Sequence, residues 1–243
     1  MNIFRKAVDT ILPPKCSVCS KLAASSEEIG ISLPEGMNLC FDCLSDIVPN
    51  PVDKRWMLCL SEPYSEDPYP SLALYMPFNY EGFFSRAVPV MKFQSRREIA
   101  SFMGNILGEL MKSDGITGDL IVPVALSRAR LLERGFNQAG AIAESVSFVM
   151  GIPAAEDVLI RTRETLRQTE IVDKMNRGAN VDRAFAVNDE WDIKGNKIIL
   201  IDDVATTGNT LHSAAQALYE AGAASVLCCA VCGNRYSSNA EVF

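Results

Sequence analysis

Four aliphatic residues, Ile198-Ile199-Leu200-Ile201, run into two adjacent carboxylates, Asp202 and Asp203, and then into a small hydroxyl-rich turn, Thr206-Thr207-Gly208-Asn209-Thr210. Aliphatics in such a row fit a central strand buried on both faces. The carboxylates then fall at its carboxyl end, where open α/β sheets bind their ligands. The turn offers backbone N–H groups, hydroxyls and the start of a helix, whose N-terminus carries about half a positive charge and suits a phosphate dianion. Gly208 permits close approach of the ligand to the backbone. Two acids beside a phosphate cradle would repel the ligand, and a ribose resolves the conflict. Its 5′-phosphate can lie in the turn while its 2′ and 3′ hydroxyls donate to Asp202 and Asp203, with a divalent cation balancing the remaining charge. A Walker-type ATPase also places an aspartate after four aliphatics, but no G-x-x-x-x-G-K-[ST] loop accompanies this one, and no G-x-G-x-x-G supports a dinucleotide site. A structural turn, with Asp and Thr acting only as caps, is the remaining alternative.

The second constellation is Cys16-Ser-Val-Cys19 and Cys40-Phe-Asp-Cys43. Two residues between ligands let both sulfurs of a pair turn toward one ion, and two such pairs complete a tetrahedral zinc shell of the closed, structural kind. Residues 20–39 between the pairs are mostly polar or small, so the metal is expected to stand in for a core there. Cys228, Cys229 and Cys232 lie in an apolar, strand-like run and read as buried thiols. Cys59 stands alone.

The surrounding pattern supplies the elements that position these groups. Ile3, Phe4, Val8, Ile11 and Leu12 fall on one helical face ended by Pro13 and Pro14, which reads as a docking helix, with attachment to a membrane surface as the alternative. Residues 61–70 are rich in Pro, Ser and acid, so a linker over 61–72 is expected to part an amino-terminal zinc module (1–60) from a second domain (73–243). In that domain a strand over 72–78, helical spacing over 86–113 and a buried strand over 119–125 precede a helix over 137–150 that Asn137 is placed to cap. Short strands at 183–187 and 197–201, a helix over about 210–221 closed by Gly222, and a β-rich run over 225–232 complete it. Strands alternating with helices predict an α/β fold, a mostly parallel sheet with helices on both faces.

Composition narrows the function classes. The chain has 243 residues, 48% apolar and 22% charged, which excludes disordered, collagen-like and repeat-built polypeptides. Its net charge of −7 is the wrong sign for a protein that lives by neutralising phosphates. No apolar run reaches the roughly 18 residues of a membrane span, and no secretory leader precedes Cys16, so the expected location is the cytoplasm, with the inner membrane face as a possible docking surface.

The turn after Asp203 is similar to the phosphoribosyl pyrophosphate motif of type I phosphoribosyltransferases. Joined to the thiolate pairs, it resembles the ComF family, linked to DNA uptake in natural competence. Further pieces of the family pattern are Pro13-Pro-Lys-Cys16, Tyr80-Glu-Gly82, Lys92-Phe93, Val122-Pro-Val124, Arg134-Gly-Phe-Asn-Gln138, Thr165 with Gln168, and Arg177 through Asn180 to Phe185. Two departures stand out: Cys59 lacks a partner for a second cysteine segment, and Ser127 occupies the place of the family's histidine, leaving His212 as the one histidine of the chain. His212 reads as a helix residue sooner than a general base.

The resemblance implies a type I phosphoribosyltransferase-like domain that binds phosphoribosyl pyrophosphate and Mg²⁺. Thr206, Thr207, Gly208, Asn209 and Thr210 would hold the phosphate, while Asp202 and Asp203 with Arg128 and Arg130 would form the catalytic set. Arg134 is a second-rank cation. Arg163, Arg167, Gln168 and Arg177 would belong to a hood that closes over the site. Two functions follow as alternatives: handling of single-stranded DNA together with other DNA-uptake proteins, or active transfer of the phosphoribosyl group to a nucleobase or amine with release of pyrophosphate.

Overall fold

The computed structural model of the chain describes residues 13–24, 28, 30–60, 71–162 and 184–234. The first elements are a short helix α1 (Phe41–Ser45) and strands β1 (Trp56–Leu60), β2 (Ser71–Tyr75) and β3 (Phe78–Asn79). The single strand expected over 72–78 is split in two, because Pro77 has no N–H to give to a ladder. The helical spacing over 86–113 likewise resolves into two helices, α2 (Gly82–Phe93) and α3 (Arg97–Ser113), parted at Ser95, whose φ of 51° is left-handed. β4 (Leu120–Pro123), α4 (Arg128–Arg134) and α5 (Gln138–Met150) follow, then the antiparallel pair β5 (Leu159–Arg161) and β6 (Phe185–Val187). The chain continues through β7 (Lys197–Ala205), α6 (Asn209–Glu220) and β8 (Ser225–Gly233).

The main sheet runs β1-β2-β8-β7-β4, with β3 also on β8. All its pairings are parallel except that of β1 with β2. β7 lies inside the sheet, and Ile198 to Ile201 are at most 1% exposed, as an aliphatic run buried on both faces requires. One face packs Ile199 and Ile201 against Phe83, Met91, Met103, Leu107 and Ile142 of α2, α3 and α5. The other packs Ile198, Leu200 and Cys228 against Leu211, Ala214 and Leu218 of α6 and Phe185 of β6. Cys228, Cys229 and Cys232 are fully buried, in keeping with their reading as core thiols. Among the described residues, no helix is long and apolar enough to cross a membrane.

Two findings differ from the expected division of the chain. Strand β1, on the module side of the 61–72 segment, pairs with β2 from Trp56↔Tyr75 to Leu60↔Ser71, so the sheet extends across that segment. Val18, Met37 and Leu39 of the thiolate region share one apolar cluster with Phe83 and Met103, so this region is seated on the core of α2 and α3 as well as on its sulfurs. Residues 1–12 and 61–70, where the docking helix and the linker are expected, lie outside the described residues.

The end of β8 is packed tightly enough to test. A Cβ added at Gly233 would lie 2.0 Å from the Ala205 carbonyl oxygen and 2.5 Å from Met76 Sδ. Backbone cannot yield as a side-chain tip can, so Gly233→Ala is expected to lower stability by about 1–3 kcal/mol. A fall in the urea midpoint at constant m-value checks this, and an unchanged midpoint contradicts the packing.

Candidate functional site

A cavity of about 370 Å³ opens at the carboxyl ends of β4 and β7. Its floor is Asp202 and Asp203. The structure corrects their placement slightly, because β7 continues to Ala205 and both acids are strand residues rather than the first residues beyond the strand. Successive strand residues face opposite sides of a sheet. Asp203, 7% exposed, faces α2, where Lys92 Nζ lies 2.8 Å from its Oδ2 as an ion pair without hydrogen-bond alignment. Asp202 Oδ1 accepts the Asp203 N–H at 2.8 Å. Burial first, and then the charge of Asp203, push the Asp202 carboxyl up to about 7.

Beyond Ala205 the chain leaves the sheet as an exposed turn. Gly208, at φ 79°, takes the left-handed conformation that opens α6, and Thr206 and Thr210 line the cavity. Thr207 and Asn209 complete the turn, with the Asn209 N–H 3.4 Å from Thr207 Oγ1. His212 sits one turn into α6, 5% exposed, and is absent from the cavity lining, as expected for a helix residue.

The opposite wall is basic. Ser127 caps α4 by accepting the Arg130 N–H at 3.3 Å. Arg130 and Arg134 line the cavity, whereas Arg128, exposed on the first turn, does not. Arg134 is held by a 3.0 Å bond from its Nη1 to Gln138 Oε1, so the second-rank cation of the sequence reading is the better anchored. Asn137 does stand before α5, but its side chain does not cap it. Nδ2 turns back instead to the Val124 carbonyl at 3.2 Å, tying the helix start to the end of β4.

The expected hood residues Arg163, Arg167, Gln168 and Arg177 lie outside the described residues. The described flanks of that segment are β5 and β6. Arg161, the last residue of β5, lines the cavity with its guanidinium 5.2 Å from the centre of the Phe185 ring. Sequence reasoning did not name Lys92, Tyr80, Asn137, Gln138 and Arg161 as lining residues, although the first four belong to strings it had singled out and Arg161 opens the 161–177 stretch read as the hood.

The cavity does not suit a resident divalent ion at its acids. Asp202 and Asp203 are the only carboxylates among the described lining residues, and one of them already holds an ammonium group. The thiolate cluster does suit zinc. Cys16, Cys19, Cys40 and Cys43 place their sulfurs within 4.8 Å of one another, and a tetrahedral ion with bonds of about 2.3 Å sets its ligands roughly 3.8 Å apart. Cys40 Sγ also accepts the Cys43 N–H at 3.5 Å, which closes the second pair around the start of α1. Arg86 Nη2 of α2 lies 3.6 Å from Cys43 Sγ and brings a positive charge to the cluster. Burial pushes Cys43 and Cys40 up. Burial acts the same way on Cys16, but the N–H groups of Cys19, Val18 and Cys40 outweigh it and bring that thiol down to about 7.

A mostly parallel sheet whose inner strand delivers two acids to a cavity, between a glycine-opened helix start and a basic helix, defines a phosphoribosyltransferase-type domain. The chain belongs to the phosphoribosyl transferase domain family, whose pattern matches residues 97–241. It is similar to DNA utilization protein YhgH of Escherichia coli O157:H7, at 28% identity over 226 residues and 89% of each chain. It is also similar to Competence protein ComFC of Bacillus subtilis, at 31% over 153 residues (60% of this chain, 58% of that one). Competence protein F of Haemophilus influenzae matches at 31% over 107 residues, 43% of this chain and 45% of that one. The ComF resemblance therefore stands.

Proposed function

We propose that the protein binds phosphoribosyl pyrophosphate and serves the handling of single-stranded DNA during uptake, alongside other DNA-uptake proteins in the cytoplasm. The observation that carries the binding is the convergence of Thr206, Thr210, Asp202, Asp203, Arg130 and Arg134 on one cavity. The turn takes the 5′-phosphate on backbone N–H groups and hydroxyls, the acids accept from the ribose hydroxyls, and Arg130 and Arg134 face the pyrophosphate. Magnesium enters this reading as a counter-ion chelated by the pyrophosphate oxygens. The DNA role is supported by the names of the relatives and by Phe93, 72% exposed beside Lys92 at the end of α2. With a net charge of −7, the chain does not favour tight binding of DNA by itself.

Replacing both Asp202 and Asp203 by Ala is expected to weaken phosphoribosyl pyrophosphate binding by roughly 3 kcal/mol through lost charged hydrogen bonds. Calorimetry that finds equal affinity in the double variant removes the site assignment. A second reading, turnover, is favoured by the arginines that face the leaving group and by the paired strands β5 and β6 beside the cavity. Cationic side chains would stabilise departing pyrophosphate as the anomeric carbon gains positive character. Incubation with labelled phosphoribosyl pyrophosphate and pooled bases and amines separates the two. Acceptor-dependent pyrophosphate release supports turnover, and release no greater than the acceptor-free control supports a binding role.

A further inference from the structure

The sequence alone calls for a divalent cation to balance two acids beside a phosphate, yet the folded chain brings its own cation to that place. Asp203 and Lys92 are 10% and 19% exposed, with 2.8 Å between Oδ2 and Nζ. Lys92 is the penultimate residue of α2, and that helix is fixed to the sheet by Phe83, Phe84, Ala87, Val88 and Met91, all at most 3% exposed, so the ammonium is delivered by a rigid element. Asp202 lines the same cavity, close enough for the charge of Asp203 to raise its carboxyl, and its Oδ1 is already engaged by the Asp203 N–H. A divalent ion shared by the two carboxylates would have to stand beside an ammonium already paired with one of them, in a partly dehydrated pocket.

We propose that Lys92 is the resident cation of the pentose site, so that the ribose phosphate half of the ligand binds without a divalent ion. The inference rests on the reading of the cavity as a phosphoribosyl site and names the group that balances its charge. Lys92 neutralises Asp203 and holds that carboxylate in place, leaving Oδ1 to accept a ribose hydroxyl. A ribose 5-phosphate dianion then meets one acid already matched by Lys92, a second acid raised toward neutrality by burial, and the guanidinium groups of Arg130 and Arg134. Lys92 is in this sense a positioning residue, acting on the ligand through Asp203.

The test is calorimetric titration with ribose 5-phosphate, which lacks the pyrophosphate that would bring magnesium of its own. One arm contains millimolar Mg²⁺. The other uses buffer stripped of divalent ions over a resin, which spares a tightly held thiolate metal. The wild-type protein is expected to bind within about twofold in the two arms. Lys92→Met is expected to lose about tenfold in the stripped buffer and to recover most of it with Mg²⁺ or Mn²⁺, because the vacated carboxylate becomes open to an ion. Lys92→Arg is expected to stay within about threefold of wild type in both arms. Wild-type binding that needs Mg²⁺, or Lys92→Met binding as tightly as wild type in stripped buffer, overturns the inference alone. Folded wild-type protein that binds no ribose 5-phosphate in either arm overturns the phosphoribosyl reading and the inference with it.

Discussion

Protein purified without added metal is expected to carry about one zinc ion per chain, and Cys43→Ala is expected to lose both the ion and a large part of the chain's stability. Cys43 is fully buried and Cys16 is 3% exposed, in the apolar cluster that also holds Val18, Met37, Leu39, Phe83 and Met103. Four thiol groups that close together gain little from one another without a cation, since each thiolate raises the cost of the next. Binding an ion removes that repulsion, and structural zinc sites contribute on the order of 10 kcal/mol of apparent binding free energy near neutral pH. Because the cluster is continuous with the packing of α2, its loss is expected to expose apolar surface of the transferase-type domain as well. Metal analysis should therefore give one ion in the wild type and less than about 0.2 in the variant. Thermal unfolding should begin well below the wild-type transition in the variant and in chelator-treated protein. Acid should reproduce the effect, because the ligands bind as thiolates and protons compete for them as pH falls. A metal-free sample that unfolds in the wild-type transition sinks the assignment.

Features coded by neighbours in sequence were legible before the structure. The run Ile198–Ile201 announced a buried strand, and the turn from Thr206 to Thr210 announced the helix start, because each depends on residues within a few positions of one another. The thiolate pairs were legible for the same reason, and 20 intervening residues did not obscure a spacing that two residues at each end define. What the sequence hid are pairings over long separations. Lys92 and Asp203 are 111 positions apart, and only the packing of α2 across the sheet brings ammonium to carboxylate. Lys92 was visible as part of a family string, but no rule of periodicity says where a lysine at the end of a helix will point. Asn137 shows the same limit on a small scale. Its type and place fit a cap, and the carbonyl of Val124, just past β4 and 13 positions earlier, competed successfully for its side chain.

A pair of the same hidden kind is expected to govern stability far from the cavity. Arg55 and Asp114 are 59 positions apart, and the Arg55 Nη1 donates to both carboxylate oxygens, at 2.8 Å and 2.7 Å. Arg55 Nε donates to the Asn50 carbonyl at 2.8 Å, and the Tyr75 hydroxyl donates to Asp114 Oδ2 at 2.8 Å. The side chains are 10% and 6% exposed, so the network ties the start of β1 and the end of β2 to the end of α3 in a place that water hardly reaches. Removing one member leaves a buried charge without its partner, which costs about 3–5 kcal/mol. Asp114→Ala should accordingly lower the urea midpoint strongly at constant m-value. A double variant, Arg55→Met with Asp114→Leu, should recover much of the loss, since apolar side chains of similar volume can replace a buried ion pair. Burial alone would raise the Asp114 carboxyl, but the bonds from Arg55 and then Tyr75 outweigh it and hold the group below its ordinary value. A carboxyl so depressed adds stability that is complete above its unfolded pKa of about 3.9 and is lost as pH falls through the folded value. The wild type should therefore weaken in acid more steeply than Asp114→Ala, and the two should converge at low pH. None of these residues lines the cavity, so phosphoribosyl pyrophosphate affinity should be unchanged in Asp114→Ala at temperatures where it is folded. Single variants that each cost less than about 1 kcal/mol would show instead that the pair behaves as an exposed surface bridge does.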